Sequence, residues 1–223
     1  MDFADSRKRM VDGQLRPNRV TDPRILAAML ELPRERFLPP SLVSRAYADE
    51  DVPLPDGSRG LTEPMVLARL VQLLAVREGD RALVVGAGTG YAAVLLARIG
   101  AQVTALEEEG PALETARKLL PGFGPYPIAS PRLVAGHLPG GFAEGAPYDA
   151  ILIDGQIPEI PAAIDGQLAE GGRLVAVLDA VPRGRSSRAV LGRRLNGTFS
   201  VTDAFDCATL PLAAFQLSPG FVF

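Results

Sequence analysis

The stretch Leu83 to Glu109, LVVGAGTGYAAVLLARIGAQVTALEEE, limits the fold more than any other part of the chain. An apolar, β-leaning run breaks on Gly86, Gly88 and Gly90, a helical run follows at Tyr91–Arg98, and a second β-leaning run, Ala101–Glu107, ends in acid. The same alternation continues downstream. Short Leu- and Val-rich runs at Arg81–Gly88, Pro131–Gly136, Tyr148–Asp154 and Gly172–Ala180 predict strands, and Pro111–Leu120 and Ile160–Ala169 predict helices between them. Nearly continuous apolar strands separated by helices predict an α/β fold whose parallel sheet is buried on both faces. Asn196-Gly197 lies between β-leaning runs near the C-terminus and predicts an antiparallel hairpin at one sheet edge.

In such a sheet a ligand lies beyond the C-terminal ends of the strands, where the first strand turns into its helix. Gly86-Ala87-Gly88-Thr89-Gly90 stands at that place. Without Cβ atoms the backbone turns tightly and a ligand can approach it closely. The third glycine of a dinucleotide fingerprint would fall at position 91, which is Tyr91, and no Lys-Ser or Lys-Thr follows as in a Walker A loop. Glu107 ends the next strand, about 20 residues on, where an acid accepts hydrogen bonds from ribose hydroxyls. A nucleoside is implied with no phosphate demanded. Adenosine joined to an amino acid through a sulfonium meets these constraints, so S-adenosylmethionine is the inferred cofactor, with S-adenosylhomocysteine as product. The competing reading is a plain tight turn, with Glu107 to Glu109 as a solvated helix start.

Composition removes several other chemistries. Cys207 and His137 are the only cysteine and histidine, so an internal disulfide and a thiolate cluster are excluded, and no metal site is expected. Of 223 residues, 47% are apolar, enough for a packed core, and the net charge of −3 provides no basic field for nucleic acid or an anionic membrane. No apolar run approaches the roughly 20 residues that span a bilayer, so a cytoplasmic protein is expected. Asp22 and Pro23 mark the N-cap and first turn of a helix within a helical N-terminal region, in which Arg7–Leu15 forms an earlier one; the Pro- and Gly-rich Pro53–Pro64 leads into a helix at Met65–Val76. The expected organisation is a helical cap and loop over 1–64 on a core over 65–223. Arg183, Arg185, Arg188, Arg193 and Arg194 read as a solvated hairpin rather than an anion site, and Cys207 as a small core residue.

RMVDGQLRPNRVTDPRILAAMLELPRERFLPP, AYADEDVPLPDG, LTEPMVLARLVQLL, VVGAGTGYAAVLLA and PYDAILIDGQIPEIPAAIDGQLAEGGRLVAVL together resemble the protein-L-isoaspartate O-methyltransferases over nearly the whole chain. The resemblance implies a class I, Rossmann-like, three-layer fold and a reaction that methylates the carboxylate of isoaspartyl residues in damaged proteins. Isoaspartyl peptides are then the partner, and the oligomeric state is left open. An acceptor carboxylate with a pKa near ~4 is already ionised at neutral pH, so no base is needed to generate the nucleophile. Three positions depart from the family's pattern. Thr62 stands at the serine of I-S-x-P, where its hydroxyl would face the substrate carboxylate or cap the next helix. Gly136-His137-Leu138 replaces G-D-G, exchanging the adenine-directed aspartate for an imidazole that would accept a hydrogen bond from the adenine, stack on it, or simply face solvent in a loop. Asp154 follows Ile153 where the family has V-T-A, facing the cleft or capping a helix begun by Pro158. Two alternatives therefore stand beside the leading one: a methyltransferase with another substrate, and a binding protein without catalysis.

Overall fold

The structure, a computed structural model, describes residues 2–57, 59–123, 130–180 and 186–216. In chain order its elements are α1 Phe3–Met10, α2 Pro23–Glu31, β1 Val52–Pro53, β2 Gly60–Leu61, α3 Pro64–Leu74, β3 Arg81–Val85, α4 Tyr91–Arg98, β4 Gln102–Glu107, α5 Pro111–Leu119, β5 Arg132–Ala135, β6 Tyr148–Ile157, α6 Ala162–Asp165, β7 Leu168–Leu178, β8 Arg188–Leu195 and β9 Thr198–Asp206. Seven strands form one sheet in the order β5-β4-β3-β6-β7-β8-β9, while β1 and β2 make a separate small hairpin. The first five strands of that order are parallel, and β8 and β9 run antiparallel at the edge. Strand order reverses between β4-β3 and β3-β6, so the switch point lies at the C-terminal ends of β3 and β6.

The two-residue period of β3 divides the core. Ala82 and Val84 join a cluster with α3, α4 and the N-terminal segment, whereas Leu83 and Val85 join a cluster on the opposite face with Leu106, Ile151 and Ile164. Met10, Leu15, Ile25, Met29 and Phe37 are buried in the first cluster together with sheet residues, so the N-terminal helices share the main core. Asp22 accepts from the Arg24 amide at 2.8 Å and caps α2, with Pro23 at its first position. The expected helix over Arg7–Leu15 is divided instead: α1 starts earlier, and Val11–Leu15 forms a π-helical turn.

The second face is thinner than expected. Ile160–Ala169 does not form a full helix. Only Ala162–Asp165 is helical, and Leu168 already pairs with Tyr148 as the start of β7. Gln167 explains the early stop: its side chain donates to the carbonyls of Gly140 and Ala163 and accepts from the Phe142 amide, fixing the chain in an extended exit. At the far edge Asn196 and Gly197 both have positive φ, 52° and 75°, as a two-residue hairpin turn requires. Within this hairpin Arg188 pairs with Asp203, and Arg194 reaches out of it to Asp165 at the end of α6; Arg183 and Arg185 lie outside the described residues. Cys207 packs against the first cluster, and burial pushes its thiol up to about 11, which keeps it un-ionised. Among the described residues no helix is long and apolar enough to cross a membrane.

Candidate functional site

The glycine turn and its acid are built into each other. Gly86, Gly88 and Gly90 have φ of +76°, +56° and +101°, a region that L side chains rarely adopt. The amides of Gly86 and Ala87 both donate to the Leu106 carbonyl at 3.0 and 3.1 Å, tying the turn to β4. The Gly88 amide donates to Oε2 of Glu107 at 2.7 Å, and the Glu108 amide to Oε1 at 2.8 Å. Glu107 is 2% exposed, so the solvated-helix reading of this acid does not hold. Thr89 turns its hydroxyl away, donating to the Phe37 carbonyl at 2.9 Å, and Tyr91 packs edge-on against the Phe37 ring. Thr89 thereby holds the N-terminal segment on the turn. Next to it opens a cavity of about 310 Å³ between Phe37, Leu38, Leu54, Thr89, Pro111 and Thr115.

Arg59 completes this corner. Its Nε donates to Oε1 and Oε2 of Glu107 at 2.9 and 3.1 Å, and its Nη2 lies 2.8 Å from Oε1 and 3.1 Å from Oε2 of Glu108. The guanidinium thus presents N–H donors to Glu107 where a ribose diol would present hydroxyls, an observation that this carboxylate is shaped to receive paired donors. The residues fit a nucleoside. Desolvation works to lower the Arg59 pKa, but the hydrogen bond and charge of Glu107 outweigh it and the shift is upward.

Across the cleft, Thr62 Oγ1 donates to Asp154 Oδ1 at 2.7 Å. Thr62 is therefore not a cap: the N-cap of α3 is Glu63, with no side-chain bond. Asp154 is not a cap either, because β6 continues to Ile157 and no helix begins at Pro158. Instead the β6–β7 register shifts between Leu152 and Gln156, a bulge centred on Asp154 and Gly155 that turns the carboxyl into the cleft. Burial pushes this carboxyl up to about 6, with the Thr62 hydroxyl and the Arg34 charge pulling the other way. Arg34 lies fully buried behind the pair. It donates to the carbonyls of Ala46 at 2.7 Å and Thr62 at 2.6 Å, and its guanidinium sits 4.9 Å over the Tyr91 ring.

The C-terminal segment roofs this half. Gln156 exchanges backbone hydrogen bonds with Leu210 and Leu212, both at 2.9 Å. A Cβ on Gly86 would stand 3.1 Å from the Leu212 methyls, and one on Gly155 only 2.5 Å from Leu212 Cγ. Beneath Pro211 and Leu212 a cavity of about 10 Å³ remains, bounded by Arg59, Thr62, Asp154 and Gly155.

At the end of β5, Gly136 donates its amide to the Glu107 carbonyl at 2.9 Å, and His137 follows as an exposed rim residue, its Nδ1 4.0 Å from Glu108 Oε1. Leu138 is buried against Leu83 and Leu106 in the second cluster, so it offers the cleft backbone only. The turn, Glu107, Thr62 and Asp154 thus gather at the switch point, while His137 stays on its edge. Sequence reasoning missed Arg34, Arg59 and the Leu210–Leu212 roof. Arg34 lies in a segment that carries the family resemblance and Arg59 between two of them, but nothing in their spacing announces a buried guanidinium.

With this geometry in hand, the profile of the Protein-L-isoaspartate(D-aspartate) O-methyltransferase family matches residues 5–216. The chain belongs to this family. A protein-L-isoaspartate O-methyltransferase of Methylorubrum extorquens is 39% identical over 211 residues, 95% of this chain and 90% of the relative. A solved protein-L-isoaspartate O-methyltransferase superposes with a TM-score of 0.79 at 25% identity, covering 92% of this chain, which spans 65% of the length of that one. A Plasmodium falciparum protein bearing the same name, solved with S-adenosyl-L-homocysteine, gives a TM-score of 0.76 at 19% identity over 96% of this chain and 99% of its own, and supports the fold. The family fold, a class I methyltransferase sandwich, is the one described above.

Proposed function

We propose that this protein is a protein-L-isoaspartate O-methyltransferase, acting with S-adenosylmethionine on the carboxylate of isoaspartyl residues in damaged proteins. The observation that carries the reading is the Glu107 carboxylate, fixed by the Gly88 and Glu108 amides at the sheet's switch point within a chain of this family. When bound, the cofactor supplies a methyl group on a cationic sulfur. Glu107 would accept the ribose hydroxyls, and the turn from Gly86 to Gly90, bare of Cβ atoms, would admit the methionyl chain. His137 and the Gly136 and Leu138 backbone would border the adenine. Thr62 would orient the acceptor carboxylate through its hydroxyl, and Asp154, on the same cleft, would set how much negative charge the acceptor meets. Because an ionised carboxylate needs no base, the chain's contribution is alignment and exclusion of water, the latter from the Leu212 roof. A single cysteine is in keeping with the reducing cytoplasm, where we place the enzyme.

The test is transfer of labelled methyl to a synthetic isoaspartyl peptide and to its aspartyl twin, alongside calorimetric titration with S-adenosylhomocysteine. Transfer to the isoaspartyl peptide alone is expected. Binding of the homocysteine compound with transfer to neither peptide would replace this reading with that of a methyltransferase for another acceptor, and absence of binding with one of a scaffold.

A further inference from the structure

Two ligands claim one carboxylate. Glu107 receives two backbone amides, and its remaining lone pairs are taken by Arg59. On the functional reading above, the ribose hydroxyls need those same lone pairs, so nucleoside binding must displace the guanidinium. Arg59 also borders the small cavity that holds Thr62 and Asp154. We infer that Arg59 is a specificity residue of the acceptor site: displaced from Glu107 by the nucleoside, its guanidinium turns to the isoaspartyl carboxylate beside Thr62. The inference rests on the proposed function and names the group that recognises its substrate.

Charge favours such a group. Asp154 feels the negative charge of Asp51 and Glu107, and among the described residues Arg34 is the cation that acts on it from behind. Arg34 is held in place by the Ala46 and Thr62 carbonyls and cannot reach outward. An incoming carboxylate is drawn by the cofactor's cationic sulfur but repelled by these acids, and a protein cation beside Thr62 offsets that repulsion. A guanidinium suits the task, since its planar fork binds a carboxylate through two parallel hydrogen bonds, and the same fork already holds one carboxylate here. Displacement leaves Glu107 satisfied by its two amides and the ribose. Cofactor and acceptor binding become coupled, each favouring the other to the same degree.

The prediction has two opposite signs, which a purely structural ion pair would not produce. In Arg59→Gln, S-adenosylhomocysteine should bind about tenfold more tightly by calorimetry, because its competitor is gone, while KM for the isoaspartyl peptide rises tenfold or more with a smaller change in kcat. Arg59→Lys, with a point charge in place of the fork, should give intermediate values of both and guards against a folding defect in the first variant. In the unaltered protein, anisotropy of a labelled isoaspartyl peptide should show tighter binding when S-adenosylhomocysteine is saturating, and Arg59→Gln should lose that enhancement. Unchanged or weaker homocysteine binding in Arg59→Gln overturns the inference, as does an unchanged peptide KM with normal transfer; the proposed function survives both. No transfer by the unaltered protein to any isoaspartyl peptide overturns both together.

Discussion

The two halves of the cleft are built on different principles. The cofactor half is made of backbone: three glycines with positive φ, two amides on the Leu106 carbonyl and two on the Glu107 carboxylate, all within one strand–helix–strand unit. The acceptor half is made of side chains brought from afar, since Thr62 meets Asp154 across 92 positions and Asp51 meets Thr209 across 158. Backbone geometry is dictated by a few residues without Cβ atoms and tolerates little exchange. Side-chain chemistry varies one residue at a time, and Thr62 and Asp154, two of the three departures from the family pattern, lie in this half. A fold can thus keep its cofactor while the acceptor site is retuned.

Substitutions at the boundary of the halves should have the largest effect. Glu107→Ala removes the buried acid that pairs with Arg59, whose other ion pair is to the partly exposed Glu108, so unfolding in denaturant should show a loss of about 3 kcal/mol along with loss of S-adenosylhomocysteine binding. A stable variant that still binds would break the division at its root. Gly88→Val tests the backbone half by itself. A valine at φ +56° costs about 1–3 kcal/mol in strain, though among the described residues its Cβ would meet just the Gly60 carbonyl, at an ordinary 3.7 Å, so the chain should fold while homocysteine affinity falls a hundredfold or more. Retained affinity would mean that the turn does not receive the cofactor.

In the acceptor half smaller and more selective effects are expected. Thr62→Val should lower kcat/KM for the isoaspartyl peptide about tenfold, a loss of about 1.4 kcal/mol in transition-state stabilisation, with homocysteine binding unaltered. Thr62→Ser keeps the hydroxyl and should stay within about twofold of the parent or exceed it. A sharp fall in that variant would show that the methyl group, not the hydroxyl, is the useful part.

The smallest effect concerns pH. Asp154 holds its proton more tightly folded, at about 6, than unfolded, near the ordinary 3.8. Its contribution therefore favours folding at low pH and is lost as pH rises from about 4 through about 6. Relative to Asp154→Asn, the parent's melting temperature should decline over that window by the equivalent of about 1 kcal/mol, a figure reduced from the full shift because the side chain is partly open to solvent. A constant difference between the two proteins across pH 4 to 7 would assign Asp154 an ordinary carboxylate environment.

This division also explains how much could be read from the chain before its structure. The turn, its acid, the parallel strands and the edge hairpin are local: Tyr91–Arg98 has the helical limits expected, and Asn196-Gly197 has the φ values its composition demands. What was illegible depends on long-range contacts. Leu168 looks like a helix face until Tyr148 is placed beside it as a strand partner, and the choice between a cleft role and a helix cap for Asp154 is settled against the cap only by the bulge in β6. Arg34 reads as one surface charge among several in PRERF, since only tertiary packing of the Ala46 and Thr62 carbonyls around it takes it out of water. Arg59 was hidden for the same reason, its partner lying 48 positions on.

The roof over the acceptor half is stitched to the strand that bears the bulge. Because Gln156 is bonded to both Leu210 and Leu212, lifting the tail to widen the entrance pulls on the backbone two residues from Asp154. Opening the doorway and re-aiming the acid inside are one movement, so a substrate large enough to force the first also alters the electrostatic welcome it receives.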